Sequence, residues 1–202
     1  MIAIVDTGGA NHASIQYALQ RLNVESIVTL DKKKIRTATH VILPGVGHAK
    51  FAMQKINQSD LFNVIHNLKQ PVLGICLGMQ MLFEYSEEGE TTCLGLLPGR
   101  VKKIITNEKQ RVPNMGWSEL NPKFNHFELL NNITTNEQFY FVHSYIAPSG
   151  EWIKAETFAS DQISAIPAIL EYKNFTASQF HPERSSKAGL KFLDNFLKKA
   201  SL

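Results

Sequence analysis

The chain has 202 residues, 44% of them hydrophobic and 19% charged, which suits one folded domain with a sizeable core and excludes a disordered or low-complexity polypeptide. Lys and Arg number 21 against 18 Asp and Glu, and this balance of +3 is scattered apart from Lys32-Lys33-Lys34 and Lys198-Lys199, which excludes a basic nucleic-acid surface. With 2 cysteines, no basic run at the N-terminus and no apolar stretch of the roughly 18 residues a membrane span needs, the expectation is a reduced, cytoplasmic protein without a disulfide framework.

Met1 to Val5 is a continuous apolar run ending at Asp6-Thr7-Gly8-Gly9, and it reads as a central strand whose exit loop opens a helix from Asn11 to Leu22. A second strand is expected over Val24 to Leu30. Lys32-Lys33-Lys34 reads as a solvated loop. His40 to Leu43 gives a third strand, turning out through Pro44-Gly45-Val46-Gly47. A helical region with apolar residues at Phe51, Met53, Ile56, Leu61, Ile65 and Leu68 follows. This alternation argues for a mostly parallel sheet covered by helices on both faces, with the loops leaving the carboxyl ends of its strands gathered on one edge.

Pro71 to Tyr85 is the stretch around which the chemistry is arranged. It reads as a buried strand, a turn at Cys76 and a helix over Leu77 to Phe83. Gly74 and Gly78 make the local pattern G-x-C-x-G, the thiol form of the nucleophile elbow. A cysteine at a helix N-terminus meets free amides and the positive end of the dipole, which favour thiolate, and the Leu77 amide is placed to steady an oxyanion. The competing reading makes Cys76 a small apolar side chain packed between strand and helix. Glu87-Glu88-Glu90 reads as a polar loop beyond the elbow helix.

From Thr92 onward, shorter β-like segments replace long helices: Arg100 to Thr106, Met115 to Leu120, Phe139 to Ile146, Trp152 to Phe158, Ile163 to Tyr172 and Phe175 to Phe180. They are expected to extend the sheet as antiparallel strands. Ser185 reads as the N-cap of a last helix over Lys187 to Ala200. Just before it, His181 and Glu183 are two residues apart at a strand tip and would share a face if the segment is extended. A thiol on one elbow and a carboxylate-backed imidazole on another strand tip suit nucleophilic acyl transfer: the imidazole takes the thiol proton and returns it to the leaving amine. Taken alone, the H-x-E triplet equally describes a surface histidine beside an exposed glutamate. His12, His40, His48, His66, His126 and His143 lack metal-ligand spacing, and neither a dinucleotide nor a Walker-type phosphate motif occurs, so no metal or cofactor is expected.

Gly74-Ile75-Cys76-Leu77-Gly78-Met79-Gln80 together with Gln179-Phe180-His181-Pro182-Glu183 resembles the class I glutamine amidotransferases. Leu43-Pro44-Gly45-Val46-Gly47, Met115-Gly116-Trp117, Tyr140 to Tyr145 and His181 to Ser185 extend the resemblance along the whole chain. It implies a three-layer α/β glutaminase fold with a mixed, mostly parallel sheet. It also implies hydrolysis of glutamine to glutamate through a glutamyl-thioester, the ammonia passing to a separate cyclase partner with a (β/α)8 barrel, in a heterodimer. By position, Cys76 is the nucleophile, His181 the general acid-base and Glu183 its orienter. Val46, Gly47 and Leu77 supply the oxyanion site; Gln80, Glu88, His143, Ser144 and Tyr145 hold the glutamine.

Two segments depart from the family pattern. Asp6-Thr7-Gly8-Gly9-Ala10-Asn11 stands for D-Y-G-x-G-N, and Pro113-Asn114-Met115-Gly116-Trp117-Ser118 for P-H-[IM]-G-W-N. Both fall where the family meets its cyclase. Open alternatives are the same domain serving guanylate, anthranilate or carbamoyl phosphate synthesis, and a module of the same fold without turnover. Glycines on both sides of Val46 further suggest a loop whose peptide rotates between showing the site a carbonyl and an amide.

Overall fold

A computed structural model describes residues 1–9, 11–105, 112–124, 126–158 and 165–200. Ala10, the expected strand end at Thr106 and the expected strand start at Ile163 lie outside them. Three short parallel strands open the chain: β1 (Ile2–Val5), β2 (Ser26–Thr29) and β3 (His40–Leu43), separated by α1 (His12–Arg21) and α2 (Lys32–Thr37). Then come α3 (Ala49–Gln58), α4 (Phe62–His66), β4 (Val72–Ile75) and α5 (Leu77–Gln80). The middle of the chain holds β5 (Phe83–Ser86), β6 (Thr91–Thr92), β7 (Leu97–Lys103), β8 (Asn114–Glu119), β9 (Asn121–Pro122), β10 (Gln138–His143) and β11 (Tyr145–Ile146). It ends with β12 (Ile153–Thr157), β13 (Ile166–Tyr172), β14 (Phe175–Ser178), a 3-10 turn at Pro182–Arg184 and α6 (Ser186–Leu197).

The central sheet has eight strands in the order β2-β1-β3-β4-β14-β13-β12-β9. Pairing is parallel from β2 through to β14 and antiparallel from there to β9. The carboxyl ends of β1, β3, β4 and β14 therefore emerge side by side. Both faces of the sheet are covered, as the unbroken apolar runs of β1 and β3 require. Ile2 and Ile4 pack with α1 and α6 residues such as Ile15, Leu19, Phe192 and Phe196, whereas Ala3 and Val5 pack with Ile35, Met53, Ile56 and Ile65 on the other face. Fully burying one such side chain is worth about 1.5–3 kcal/mol, so the layers fix the strands firmly.

Four expectations change. The lysine run is not a loop: Asp31 caps α2, its carboxylate accepting from the Lys33 and Lys34 amides at 2.8 and 3.0 Å, and Ile35 anchors the turn in the core. The elbow helix ends at Gln80 and not at Phe83, because the carbonyls of Met81, Leu82 and Phe83 accept from the amides of Leu94, Leu96 and Gly95 instead of continuing a helical ladder. The late strands divide: β9, β12 and β13 extend the central sheet in antiparallel fashion, but β7 and β11 form a second sheet with β5 and β6, and β8 pairs with β10. β14 is not an extension at all; it lies within the sheet, parallel to β4. Among the described residues no helix is long and apolar enough to cross a membrane.

Candidate active site

The parallel register of β4 and β14, with Ile75 opposite Ser178, explains how two distant motifs meet. Each strand ends at that pair, and the Cys76 amide donates to the Ser178 carbonyl at 2.7 Å. Cys76 itself has φ 46 and ψ −100, outside the ordinary regions for a residue with a β-carbon, so the elbow holds stored strain. Gly78 is fixed by contact with backbone: a β-carbon there would sit 2.1 Å from the Leu43 carbonyl oxygen. Glycine at this position serves the close packing of α5 on β3.

Phe180 is clamped among Phe139, Phe141 and Phe192, with ring centroids 4.4, 5.7 and 5.1 Å away. That clamp fixes the residues on either side of it. His181 Nδ1 meets Glu183 Oε1 at 2.8 Å, and both side chains are buried. They meet through the 3-10 turn begun by Pro182, not by alternation along a strand. Ser185 does not cap the final helix with its side chain. Its hydroxyl donates to the His181 carbonyl at 2.7 Å and accepts from the Tyr140 amide at 2.9 Å, so it braces the histidine. Asn11, in the left-handed region at φ 93, donates from Nδ2 to the same Glu183 Oε1 at 2.9 Å. Sequence reasoning missed Asn11 as a site residue; its position in the glycine-rich exit loop of β1 was the available signal.

With Nδ1 held by Glu183, the other ring nitrogen of His181 is the one left for Cys76, which borders the same cavity and whose thiol donates to the Val142 carbonyl at 3.7 Å. Burial alone would push the imidazole down, but the hydrogen bonds and charges of Cys76 and Glu183 hold its pKa well above the ordinary value. His143 shows the opposite effect. Burial is the main cause that lowers it to about 4, with nearby His181 adding to the shift, so it is neutral at pH 7. Its Nδ1 lies 2.9 Å from the Tyr145 carbonyl, which can only accept, so Nδ1 carries the proton and Nε2 accepts from Asn114 Nδ2 at 2.9 Å.

A cavity of about 360 Å³ is lined by Gly45, Val46, Gly47, Cys76, Leu77, Gln80, Glu88, His143, Ser144, Tyr145 and His181, together with Pro113, Val142 and Arg184. Every residue singled out from the sequence except the buried Glu183 thus borders one space. Their orientations differ. Gln80 does not offer its amide nitrogen to the cavity, since Nε2 donates to the Tyr145 carbonyl and to Gln179 Oε1, both at 3.0 Å. The Tyr145 carbonyl is taken by Gln80 and His143, and the Ser144 carbonyl by the Ile104 amide. Glu88 Oε2 accepts from the Ala49 amide at 2.8 Å at the start of α3, leaving its other oxygen uncommitted there. The Leu77 amide points at the Gly45 carbonyl, 3.5 Å away. Because carbonyl and N–H of one trans peptide point in opposite directions, the Val46 amide is turned from the site. Gly47 has φ 134, a conformation that favours glycine.

A strained thiol and an imidazole at one cavity, with a buried carboxylate behind the imidazole, are the groups that cysteine-nucleophile acyl transfer requires. The chain matches the family described as Glutamine amidotransferase class-I over residues 3–200, and it belongs to that family. It is 45% identical over 196 residues to "Imidazole glycerol phosphate synthase subunit HisH" of Xylella fastidiosa strain Temecula1, covering 97% of this chain and 96% of the relative. A Bacteroides fragilis protein of the same name is 42% identical over 197 residues, covering 97% and 98%. Among solved structures, the glutaminase domain of Trypanosoma brucei CTPS with bound acivicin aligns with TM-score 0.66 and 17% identity over 100% of this chain and 95% of that one. PurLQS from Thermotoga maritima aligns with TM-score 0.65 and 19% identity over 97% and 96%. These likenesses show the class I glutaminase fold.

Proposed function

We propose that this chain is the glutaminase subunit of an imidazole glycerol phosphate synthase, acting in histidine biosynthesis. The family is that of glutamine-hydrolysing enzymes, and full-length relatives at 42–45% identity carry the synthase-subunit name. The observation that carries the chemistry is the Cys76–His181–Glu183 array at the cavity wall. His181 takes the thiol proton, Cys76 attacks the side-chain amide of glutamine, and the proton returns to the departing nitrogen as ammonia; water then cleaves the thioester. Glu183 keeps Nδ1 of the imidazole protonated throughout, so the opposite nitrogen is the one that exchanges protons with sulfur, ammonia and water.

The free oxygen of Glu88 suits the α-ammonium of glutamine, and the backbone of His143, Ser144 and Tyr145 forms a wall of the same cavity. Val46 and Leu77 become oxyanion donors, beside Gly47, once the Gly45–Val46 peptide rotates, since the present orientation offers a carbonyl that occupies the Leu77 amide. The ammonia passes to a cyclase subunit with a (β/α)8 barrel, in a cytoplasmic heterodimer, and residues 1–202 act as one domain. No cofactor takes part in the hydrolysis. The test is Cys76→Ala: purified with the cyclase, it should lose glutamine hydrolysis while still co-purifying. Substantial hydrolysis surviving in that variant would sink the mechanism.

A further inference from the structure

Gln179 has no part in the triad, yet it is fully buried, 0% exposed, with Nε2 3.4 Å from Cys76 Sγ. A side-chain amide can present either end to a neighbour, and here a chain of hydrogen bonds settles which. The Tyr145 carbonyl only accepts, so the end of Gln80 that lies 3.0 Å from it is the NH2 group. The same NH2 lies 3.0 Å from Gln179, so the Gln179 atom facing it is the oxygen. What remains for the sulfur is an N–H donor. Gln179 is not among the residues lining the cavity, so its donor reaches the sulfur from outside that space; Gln80, 4% exposed, borders the cavity but turns its NH2 group to the Tyr145 carbonyl and to Gln179.

We infer that Gln179 is a further catalytic residue, donating a hydrogen bond to the Cys76 thiolate, and that Gln80 is a positioning residue that holds the donor end of Gln179 against the sulfur. The inference rests on the glutaminase reading and assigns a role within it. Sulfur is anionic twice in the cycle. It is so after its proton passes to His181 and before the C–S bond forms, and again when water, losing a proton to His181, expels sulfur from the thioester with the C–S electron pair. The Gln179 donor faces sulfur at both moments. It favours the thiolate at the start and the leaving group at the end, at some cost in intrinsic nucleophilicity.

The variants are Gln179→Met, close in volume but without a donor, and Gln179→Glu, which keeps an acceptor for Gln80 and places a carboxylate against sulfur. Alkylation of the full-length chain by iodoacetamide at neutral pH reads the thiol directly. Cys93 is an internal control, since burial pushes it up to about 11. A hydrogen bond to a charged group changes an equilibrium by roughly ten- to a hundredfold, and the opposing nucleophilicity leaves a net loss of roughly three- to tenfold in the Cys76 alkylation rate for Gln179→Met. Gln179→Glu should lose more. Gln80→Met should fall in the same direction without touching sulfur. In the cyclase complex, Gln179→Met should lower kcat and leave the KM for glutamine near wild type, because Gln179 does not border the cavity. Folded Gln179→Met or Gln179→Glu protein alkylated at the wild-type rate overturns the proposal. Slowed alkylation in the variants, alongside a wild-type complex that never hydrolyses glutamine, would leave the sulfur donor standing and remove the glutaminase reading.

Discussion

The triad and the Gly45–Gly47 loop border the same cavity, but they are built to different standards. Around His181 every direction is held: Glu183 on Nδ1, the Tyr140 carbonyl on its amide, Ser185 on its carbonyl and the aromatic clamp of Phe180 behind it. On the Gly45 side of Val46 the carbonyl accepts from the Leu77 amide at 3.5 Å, at the far end of the useful range, and this points the wrong group at the site. On the roles proposed above, the nucleophile is prepared in advance whereas transition-state stabilisation is withheld. A rotation of one peptide separates the two conditions, and docking of a partner that favours the rotated state would supply it.

The largest effect should come from breaking the prepared side. His181→Ala removes the proton carrier and should lower glutamine hydrolysis on the order of a thousandfold or more, measured as kcat in the complex. Glu183→Gln should be milder, a loss of roughly tenfold to thirtyfold, because the Asn11 donor keeps an amide oxygen turned toward His181 and only the charge is lost. Equal losses in the two variants would contradict these roles. The withheld side is probed by Gly47→Ala, which strains a residue at φ 134. It should reduce the partner-stimulated rate by roughly a hundredfold, the worth of one oxyanion donor, and lower the basal rate far less.

The smallest effect concerns stability, where His143 and His181 have opposite signs. His143 is held at about 4 against 6.5 in the unfolded chain, so between those values the unfolded state binds more protons. Stability should rise with pH through that window and fall as pH drops to 4, by about 3 kcal/mol in all. His181 is raised, so its contribution is fully present below 6.5 and fades as pH climbs through its folded value. Denaturant titrations of wild type and His143→Gln between pH 4 and 6.5 test the first sign. A slope that His143→Gln leaves unchanged would assign the acid loss to other groups.

The half of the fold made of buried parallel strands was legible, because β1 and β4 are apolar on both faces and β3 is so after its first residue, His40. The elbow was legible for a local reason, its glycines and cysteine being spaced by contacts within a few residues. What misled was the region after it, where Met81, Leu82 and Phe83 are buried on all sides and carry no period to tell helix from strand. The lysine run hid a helix whose signal was its Asp31 cap. Asn11 and Gln179 were missed because their partners lie 172 and 103 residues away, at Glu183 and Cys76, and a polar side chain does not announce a distant acceptor.

The central claim is a finished nucleophile behind an unfinished oxyanion site. It is tested most directly by the glutamine hydrolysis rate of the chain alone, with the barrel cyclase, and with cyclase plus its nucleotide substrate. The account predicts a nearly silent chain, with stimulation on docking and a further rise, to roughly a hundredfold or more overall, when the nucleotide binds. A chain that alone hydrolyses glutamine as fast as the nucleotide-loaded complex would contradict it.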